Sequence, residues 1–297
     1  MTVIKRLILA LFTLAPAQFA LAETLVLGSV EHDVRRQILN FQPLADYLRI
    51  SLASEGVTDV QIKVMREEHD IALAMKNGDI DLYFDSPVVA AKVARESGGT
   101  PLLRQFRKGD ATYRSVIVVP VDGPVQSLND LVGRRIAFDE RASSSGFLLP
   151  AYMLDDAGLK LSRLRTRTSN VPVGEVGYLF TRDNTNTMYW LVRGWTDAGA
   201  MNNRNFQHLD QMFPGQFKAL AESPLMPREV VVQRPNMDQT LSGAIVKTLT
   251  SMHHSSEGRT AIQSFFETDR FVAFPNSHTT FLPIFAILDR LTRIGII

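Results

Sequence analysis

The sequence predicts an α/β fold, and three observations support that prediction. Short apolar runs typical of buried strands alternate along most of the chain with helical patterns of about ten residues. Strands that alternate with helices in this way are typical of α/β folds, here with largely parallel sheets. The chain of 297 residues is also long enough for two lobes that each bury a hydrophobic core.

The first half of the chain starts this alternation. Residues 24–28 form an apolar run that ends in glycine, which predicts a buried strand. A helix follows, because Ile38, Phe41, Ala45, Leu48 and Leu52 repeat at a spacing of three or four residues. Pro43 lies inside this pattern and predicts that the helix starts or kinks there. Further strands are predicted at 59–65, 80–84, 100–106 and 113–119, and further helices at 70–78 and 88–99.

A second series follows the turn-forming residues 121–124. Ser127 can cap a short helix that Gly133 ends. The C-terminal residues 283–297 are predicted to be helical, with Ile284, Ile287, Leu288 and Leu291 on one face. The other predicted strands are 134–138, 196–201 and 228–233, and the other predicted helices are 146–158, 186–194 and 239–253.

The N-terminus has the layout of a secretory signal. Lys5 and Arg6 precede an apolar stretch that is too short to span a bilayer, and Ala20 and Ala22 occupy the small-residue positions of a cleavage site. We therefore expect residues 1–22 to be a leader that is cleaved after Ala22, so that the protein is periplasmic. The alternative is a short buried helix. No later stretch reaches the length of a membrane span, so we expect the mature protein not to span a membrane.

Charge and composition exclude several classes of function. The formal net charge is +1, which gives no overall field that favours nucleic acid. The chain has no cysteine, which removes disulfides, thiolate metal ligands and cysteine nucleophiles. We expect no cofactor, no bound metal and no nucleic-acid partner.

The stretch RASSSGFLLP places three adjacent serines and a glycine between a predicted strand and a predicted helix. A helix N-terminus presents unpaired N–H groups and a partial positive charge. Serine hydroxyls add donors, and Gly146 lets an anion approach the backbone closely. The stretch therefore predicts a neutral cradle for an oxyanion. The alternative is a helix cap in which a serine binds only its own backbone.

Two other chemistries have weaker support. The acidic stretch at 67–70 could be a metal cluster, but consecutive residues point in different directions on a helix, and acids in a first turn complement its dipole. A serine hydrolase built on Ser144 lacks the leading glycine of G-x-S-x-G, and no histidine or acid lies at a telling spacing. We therefore expect that the protein is not an enzyme.

The stretch SSSGFLLP, together with RRIAF before it and Tyr113 in YRSVIVV, resembles the phosphonate/phosphite/phosphate-binding periplasmic proteins of ABC importers. LADYL, NGDIDLYFDSP, LNDLVGRRIAF, WTDAGA and SPLMP extend the resemblance over most of the chain. It implies a two-lobed type II periplasmic binding protein fold with a central ligand cleft. It also implies that residues 23–117 and 229–297 form lobe 1 and residues 118–228 form lobe 2.

The resemblance also implies a set of ligand-binding residues. The serine run of the family holds the phosphorus oxyanion, which here means Ser143, Ser144, Ser145 and the backbone at Gly146. Tyr113 belongs to the same set.

Around this cradle the chain departs from the family pattern. In the family an aromatic group lines the opposite wall, and here Phe84 and Asp85 stand there. Glu68 lies where a tyrosine is usual, and Asn184 replaces a histidine that often donates to the oxyanion. Glu229 follows the SPLMP segment, where phosphonate binders place an acid that holds a ligand amine.

The expected function is a periplasmic solute-binding protein of an ABC importer, which closes two lobes around a small oxyanion-bearing solute and docks on a permease. A periplasmic sensing subunit that reports to a membrane-bound receptor or kinase is the first alternative, because it would use the same fold. A secreted serine hydrolase is the second.

Overall fold

A computed structural model describes residues 23–31 and 33–297 of the chain. The predicted leader, residues 1–22, lies outside the described residues. The described part contains two six-stranded sheets, each flanked by helices, and a two-stranded sheet. No helix in this part is both long and apolar enough to cross a membrane.

The first sheet has the strand order β14-β4-β13-β3-β1-β2. Strands β1, β2 and β3 pair in parallel, whereas β13, β4 and β14 pair antiparallel with their neighbours. The strands are β1 Glu23–Val30, β2 Val57–Met65, β3 Leu82–Asp85, β4 Thr100–Arg107, β13 Val230–Gln233 and β14 Thr268–Ala273.

The second sheet has the order β11-β6-β10-β7-β9-β8. Its strands β10, β7, β9 and β8 are parallel, and β6 and β11 run antiparallel to their neighbours. The strands are β6 Ser115–Pro120, β7 Arg135–Phe138, β8 Lys160–Arg163, β9 Glu175–Phe180, β10 Ala198–Asn202 and β11 Phe217–Glu222. Both sheets are therefore mixed, and the prediction of largely parallel sheets is wrong.

Nine α-helices cover the two six-stranded sheets in the described residues. Four of them were predicted at nearly the observed bounds, including α2, which Gly78 ends in the left-handed conformation at φ 83°. The helices are α1 Val34–Ser51, α2 Glu68–Asn77, α3 Pro87–Ser97, α4 Leu149–Asp156, α5 Asn184–Val192, α6 Asn203–Met212, α7 Gln239–Ser251, α8 Ser256–Ser264 and α9 Ser277–Arg293.

Helix α1 has the predicted buried face except at Ile38. Phe41, Ala45 and Leu48 are buried as expected, but Ile38 is exposed. Gln37 is buried instead, because its side chain donates to Ser29 Oγ on β1. Pro43 lies inside the helix rather than at its start.

The chain crosses between the sheets at two short strands, β5 (Thr112–Tyr113) and β12 (Met226–Pro227), which pair antiparallel. Up to Arg107 the strands belong to the first sheet, and from Ser115 they belong to the second. The pair β5–β12 therefore lies where both crossing segments pass from one half of the fold to the other.

Helix α9 contacts both halves of the fold. Its residues Ile284, Ile287, Leu288 and Leu291 are buried, as the sequence predicts. The helix packs on α3 of the first half and on α4 of the second.

Candidate functional site

A single serine hydroxyl joins the two halves of the fold at the cleft. Ser144 Oγ donates to Ser86 Oγ over 2.8 Å and accepts from the backbone N–H of Val88 over 3.1 Å. Ser86 precedes α3 of the first half, and Ser144 is the first residue of the helical turn that leads into α4 of the second half. The starts of two helices from opposite halves therefore meet at this point.

The serine run forms the start of a helix. Residues Ser144–Leu148 make a π-helical turn that continues directly into α4. Ser143 Oγ accepts from the backbone N–H of Gly146 over 3.0 Å. Within the part of the chain that the structure describes, the backbone N–H groups of Ser144 and Ser145 have no acceptor. Unpaired N–H groups are typical of the first turn of a helix, and they are the groups that hold anions at helix starts in other proteins.

Asp85 ends β3 and receives several donors. Ser86 donates to Asp85 Oδ1 through its backbone N–H over 2.6 Å and through its hydroxyl over 3.0 Å, and the Tyr83 hydroxyl donates to Oδ2. Burial raises the pKa of Asp85 to about 7, although the hydrogen bonds from Tyr83 and Ser86 act in the opposite direction. A hydroxyl chain thus runs from Ser144 through Ser86 to this carboxyl group.

Tyr113 lies beside Ser144 at the crossing strand β5. Its side chain is buried, and the Arg228 guanidinium carbon lies 5.4 Å from the centre of its ring. Burial and the nearby Glu229 carboxylate raise the pKa of Tyr113 far above its usual value. Its hydroxyl is therefore neutral and remains a hydrogen-bond donor in the cleft.

A cavity of about 230 Å³ lies between the two halves and is rich in carboxylates. Burial and the neighbouring Asp139 carboxylate raise the pKa of Glu140 to about 7. Lys92 Nζ lies 3.3 Å from Glu68 Oε2 and offsets one of the charges. The charged residues that line the cavity are Glu31, Glu67, Glu68, Asp85, Glu140, Arg66 and Arg141.

A second cavity, of about 160 Å³, lies on the first half and shares Asp85 with the first cavity. Gln105 and Glu229 both line it, and Gln105 is 1% exposed. Gln105 Oε1 and Glu229 Oε2 are buried and have no hydrogen-bond partner among the described residues. Phe84 forms part of the wall and packs edge-on against Phe265. Two unpaired acceptors in one cavity favour a ligand group that donates hydrogen bonds.

The structure brings most of the predicted site residues together. The serine run, Tyr113, Asp85 and Glu229 lie around the junction of the two halves, and Glu68 lies across the larger cavity. Phe84 belongs partly to the hydrophobic core of the first half. Asn184 lies behind the serine run, where its Nδ2 donates to Asp139 Oδ2 over 3.0 Å.

Sequence analysis missed Gln105, Asp139 and Glu140. Asp139 and Glu140 directly follow β7, and polar residues at the carboxyl end of a strand are a signal that could have found them. Gln105 gives no local signal, because its position depends on strand pairing. No group of three or more metal-ligating side chains comes together within residues 23–31 and 33–297.

The comparisons with known proteins agree with this geometry. A family model described as "ABC transporter, phosphonate, periplasmic substrate-binding protein" matches residues 32–279. The phosphonates-binding periplasmic protein of Escherichia coli K12 is 26% identical over 144 residues, which cover 46% of this chain and 39% of that protein. The tetrathionate sensor histidine kinase TtrS of Salmonella typhimurium is 23% identical over 222 residues, which cover 71% of this chain and 36% of that protein. The matches therefore span less than two fifths of either relative.

Solved structures with this fold are numerous. XAC2383 from Xanthomonas citri, solved with ATP, has a TM-score of 0.84 at 23% identity and covers 92% of this chain and 99% of its own. PhnD1 from Prochlorococcus marinus, in complex with methylphosphonate, has a TM-score of 0.66 at 16% identity over 91% and 98%. The sulphonate-binding SsuA from Escherichia coli has a TM-score of 0.52 at 14% identity over 91% and 87%. The predicted type II periplasmic binding protein fold is confirmed, and the family consists of solute-binding proteins rather than enzymes.

The raised pKa of Glu140 predicts a pH-dependent stability. The folded protein binds this proton more tightly than the unfolded chain, whose ordinary value is 4.5. The stabilisation from this proton is therefore complete below about pH 4.5 and is lost as the pH rises through about 7. We expect urea unfolding to show a smaller loss of stability between about pH 5 and pH 8 in Glu140→Gln than in the wild type.

The matched control is Glu55→Gln, which removes the same charge from an exposed position. It should keep the wild-type pH dependence. An equal loss of stability in Glu140→Gln and the wild type would contradict the prediction.

Proposed function

The chain belongs to the family of phosphonate-type periplasmic substrate-binding proteins of ABC transporters, and we propose that it delivers a small oxyanion-bearing solute to a permease. The solute is of the phosphonate, phosphite or phosphate class. One observation supports this most directly: the unpaired N–H groups of Ser144 and Ser145 lie at a helix start in the cleft between the two halves. Such a position suits an oxyanion because the donors and the helix dipole act together.

The proposed mechanism is conformational. The solute contacts lobe 2 (118–228) through the serine run and lobe 1 (23–117 and 229–297) through Asp85 and Glu229. A solute that bridges the lobes shifts the population toward the closed form, which the membrane partner recognises. The hydroxyl contact from Ser144 to Ser86 supports this proposal, because it joins the two halves at the same place.

We propose a periplasmic location after removal of residues 1–22. The family is periplasmic, and the charged, apolar and small-residue segments of the N-terminus have the order of a secretory leader. Intact-mass analysis of periplasmic protein should give a chain that begins at Glu23. Full-length protein confined to the cytoplasm would contradict both the location and the importer role.

A sensing function is the second candidate, because a sensor histidine kinase is similar to 71% of the chain. In that case the closed form would dock on a receptor or kinase instead of a permease. The neighbouring genes distinguish the two candidates: genes for a permease and an ATPase favour import, and a gene for a sensor kinase without its own sensing domain favours signalling.

The cradle can be tested by removing one hydroxyl at a time. Hydrogen bonds to a charged group contribute about 1.5–3 kcal/mol. We expect Ser144→Ala and Ser145→Ala each to weaken oxyanion binding by about tenfold to a hundredfold. Calorimetry should use the tightest-binding member of a panel of phosphate, phosphite, methylphosphonate, sulfate and arsenate, chosen by thermal shift.

Ser54→Ala, at an exposed position far from the cleft, is the control and should bind like the wild type. Unchanged affinity in both cleft variants would show that the serine hydroxyls do not hold the oxyanion. Esterase activity that is lost in the same variants would favour the hydrolase.

The smaller cavity suggests a positive group on the solute. An oxyanion near Glu68, Asp85 and Glu229 is repelled unless the solute carries a proton or a cation. Two unit charges about 4 Å apart interact by about 4 kcal/mol at an effective dielectric near 20. Gln105 Oε1 and Glu229 Oε2 are unpaired acceptors that an ammonium group would satisfy. We propose that an aminoalkyl phosphonate binds more tightly than phosphate.

The Glu229 side chain can be neutralised to test this preference. The wild type should bind 2-aminoethylphosphonate at least about tenfold more tightly than methylphosphonate. The reason is that methylphosphonate has no ammonium group to form a charge-assisted hydrogen bond with Glu229. Glu229→Gln should narrow that ratio, as measured by calorimetry. The control Glu222→Gln removes an exposed acid of the same region and should keep the ratio. Tighter binding of phosphate than of any amine-bearing analogue would contradict the proposal.

A further inference from the structure

Asp139 is a buried acid directly behind the serine run. It follows β7 and is 6% exposed. Asn184 Nδ2 donates to its Oδ2 over 3.0 Å, and a hydrogen bond from the Ser143 hydroxyl also reaches its carboxyl group. Its backbone N–H donates to Gly146 O over 3.1 Å. Two residues of the second half thus hold the side chain in place, and a third, Gly146, holds the backbone.

The contact with Gly146 is unusually close. A Cβ atom at Gly146 would lie 2.3 Å from Asp139 Cβ and 3.1 Å from Asp139 Oδ2. Only glycine fits there, because any side chain would collide with Asp139 or with Ser143 Oγ. The carboxyl group therefore lies against the residue that follows the two unpaired N–H groups of Ser144 and Ser145.

The charge of Asp139 is not neutralised by a neighbouring cation. No arginine, lysine or histidine of the described residues forms an ion pair with it. Glu140 follows it in the same loop, and Asp183, at the start of α5, adds a second negative charge. Arg182 meets it only through its backbone N–H, which donates to Asp139 O over 2.8 Å. Burial raises the pKa of Asp139 to about 6.

We infer that Asp139 is a specificity-determining residue that makes the cleft favour singly charged over doubly charged oxyanions. The inference rests on the proposed function, because it places the oxyanion on the N–H groups of Ser144 and Ser145. Repulsion between two charges is proportional to their product, so a dianion feels twice the opposing energy of a monoanion at the same place. The serine and backbone donors attract monoanions and dianions, and the negative charge of Asp139 weakens the binding of the dianion more.

The two expected signatures are a dependence on pH and a dependence on ligand charge. Below about pH 6 Asp139 is protonated and its repulsion disappears, so oxyanion binding tightens as the pH falls. Hydrogen bonds that only position the serine loop would give neither signature, because Asn can take part in the same contacts.

The experiment uses methanesulfonate and methylphosphonate as probes. Methanesulfonate carries one charge throughout the range, so any change of its affinity with pH reports on the protein alone. Near pH 8 we expect Asp139→Asn to bind methanesulfonate about tenfold more tightly than the wild type, by calorimetry. Near pH 9, where methylphosphonate carries two charges, the gain should be about a hundredfold. The variant should also lose the part of the change of affinity that is centred near pH 6, whereas the part that comes from Asp85 and Glu140, which titrate near pH 7, should persist.

Two further variants separate Asp139 from other acids. Glu140→Gln removes a carboxyl group of the larger cavity, and it should keep the change of methanesulfonate affinity through about pH 6. Asp59→Asn removes one charge from an exposed site on β2 and should behave like the wild type.

Three outcomes would overturn the inference. The first is that Asp139→Asn binds both probes with the wild-type affinity. The second is that it gains equal affinity for both probes. The third is that Glu140→Gln abolishes the pH dependence of methanesulfonate affinity and Asp139→Asn keeps it. If Asp139→Asn does not fold, a wild-type affinity for methanesulfonate that is constant between about pH 5 and pH 8 overturns it equally. If the protein still binds an oxyanion when one of these results is found, the inference fails and the proposed function remains intact. Failure of the wild type to bind either probe or any oxyanion of the panel would overturn the proposed function, and the inference with it.

Discussion

In the proposed site, the donors that the serine run offers to an anion are backbone N–H groups at the start of a helix, and this constraint governs the rest of the site. Helices α3 and α4 come from opposite halves, and their starts meet at the contact between Ser86 and Ser144. The partial positive charge at a helix start falls off within about one turn. In the proposed mechanism, the attraction for an anion therefore acts only where both helix starts are close together, which would couple anion binding to the approach of the two lobes.

The side chains around these helix starts add negative charge. Asp85 belongs to the first half and Glu140 to the second, and burial raises the pKa of both to about 7. Carboxyl groups that face each other across a closing cleft favour the uptake of protons or the presence of a ligand cation. Under the proposed function, a dianion without a positive group is therefore the poorest ligand for such a site, although the backbone donors would accept it.

How much the sequence predicts depends on whether a feature is local. The helix end at Gly78, the buried face of α9 and the strand–loop–helix order around the serine run follow from nearby residues, and the structure has them. The pairing direction of the strands is not local, so the sheets are mixed where parallel sheets were expected. Gln105 reaches the cleft because β4 lies beside the segment that holds Glu229, where the Gln105 N–H donates to Glu229 O over 2.9 Å. No spacing in the sequence encodes that contact.

Asn184 illustrates why the role of a residue cannot be read from its position alone. By its resemblance to the family pattern it stands where a ligand donor is expected, and it does donate a hydrogen bond, but to Asp139. A positively charged side chain at that position would form an ion pair with Asp139 and cancel its charge. A neutral amide holds the carboxylate in place and leaves its charge uncompensated. The departure at Asn184 and the acid at Asp139 therefore act as one unit, and under the inference above the selectivity of the proposed cradle depends on the residues behind the serines as much as on the serines themselves.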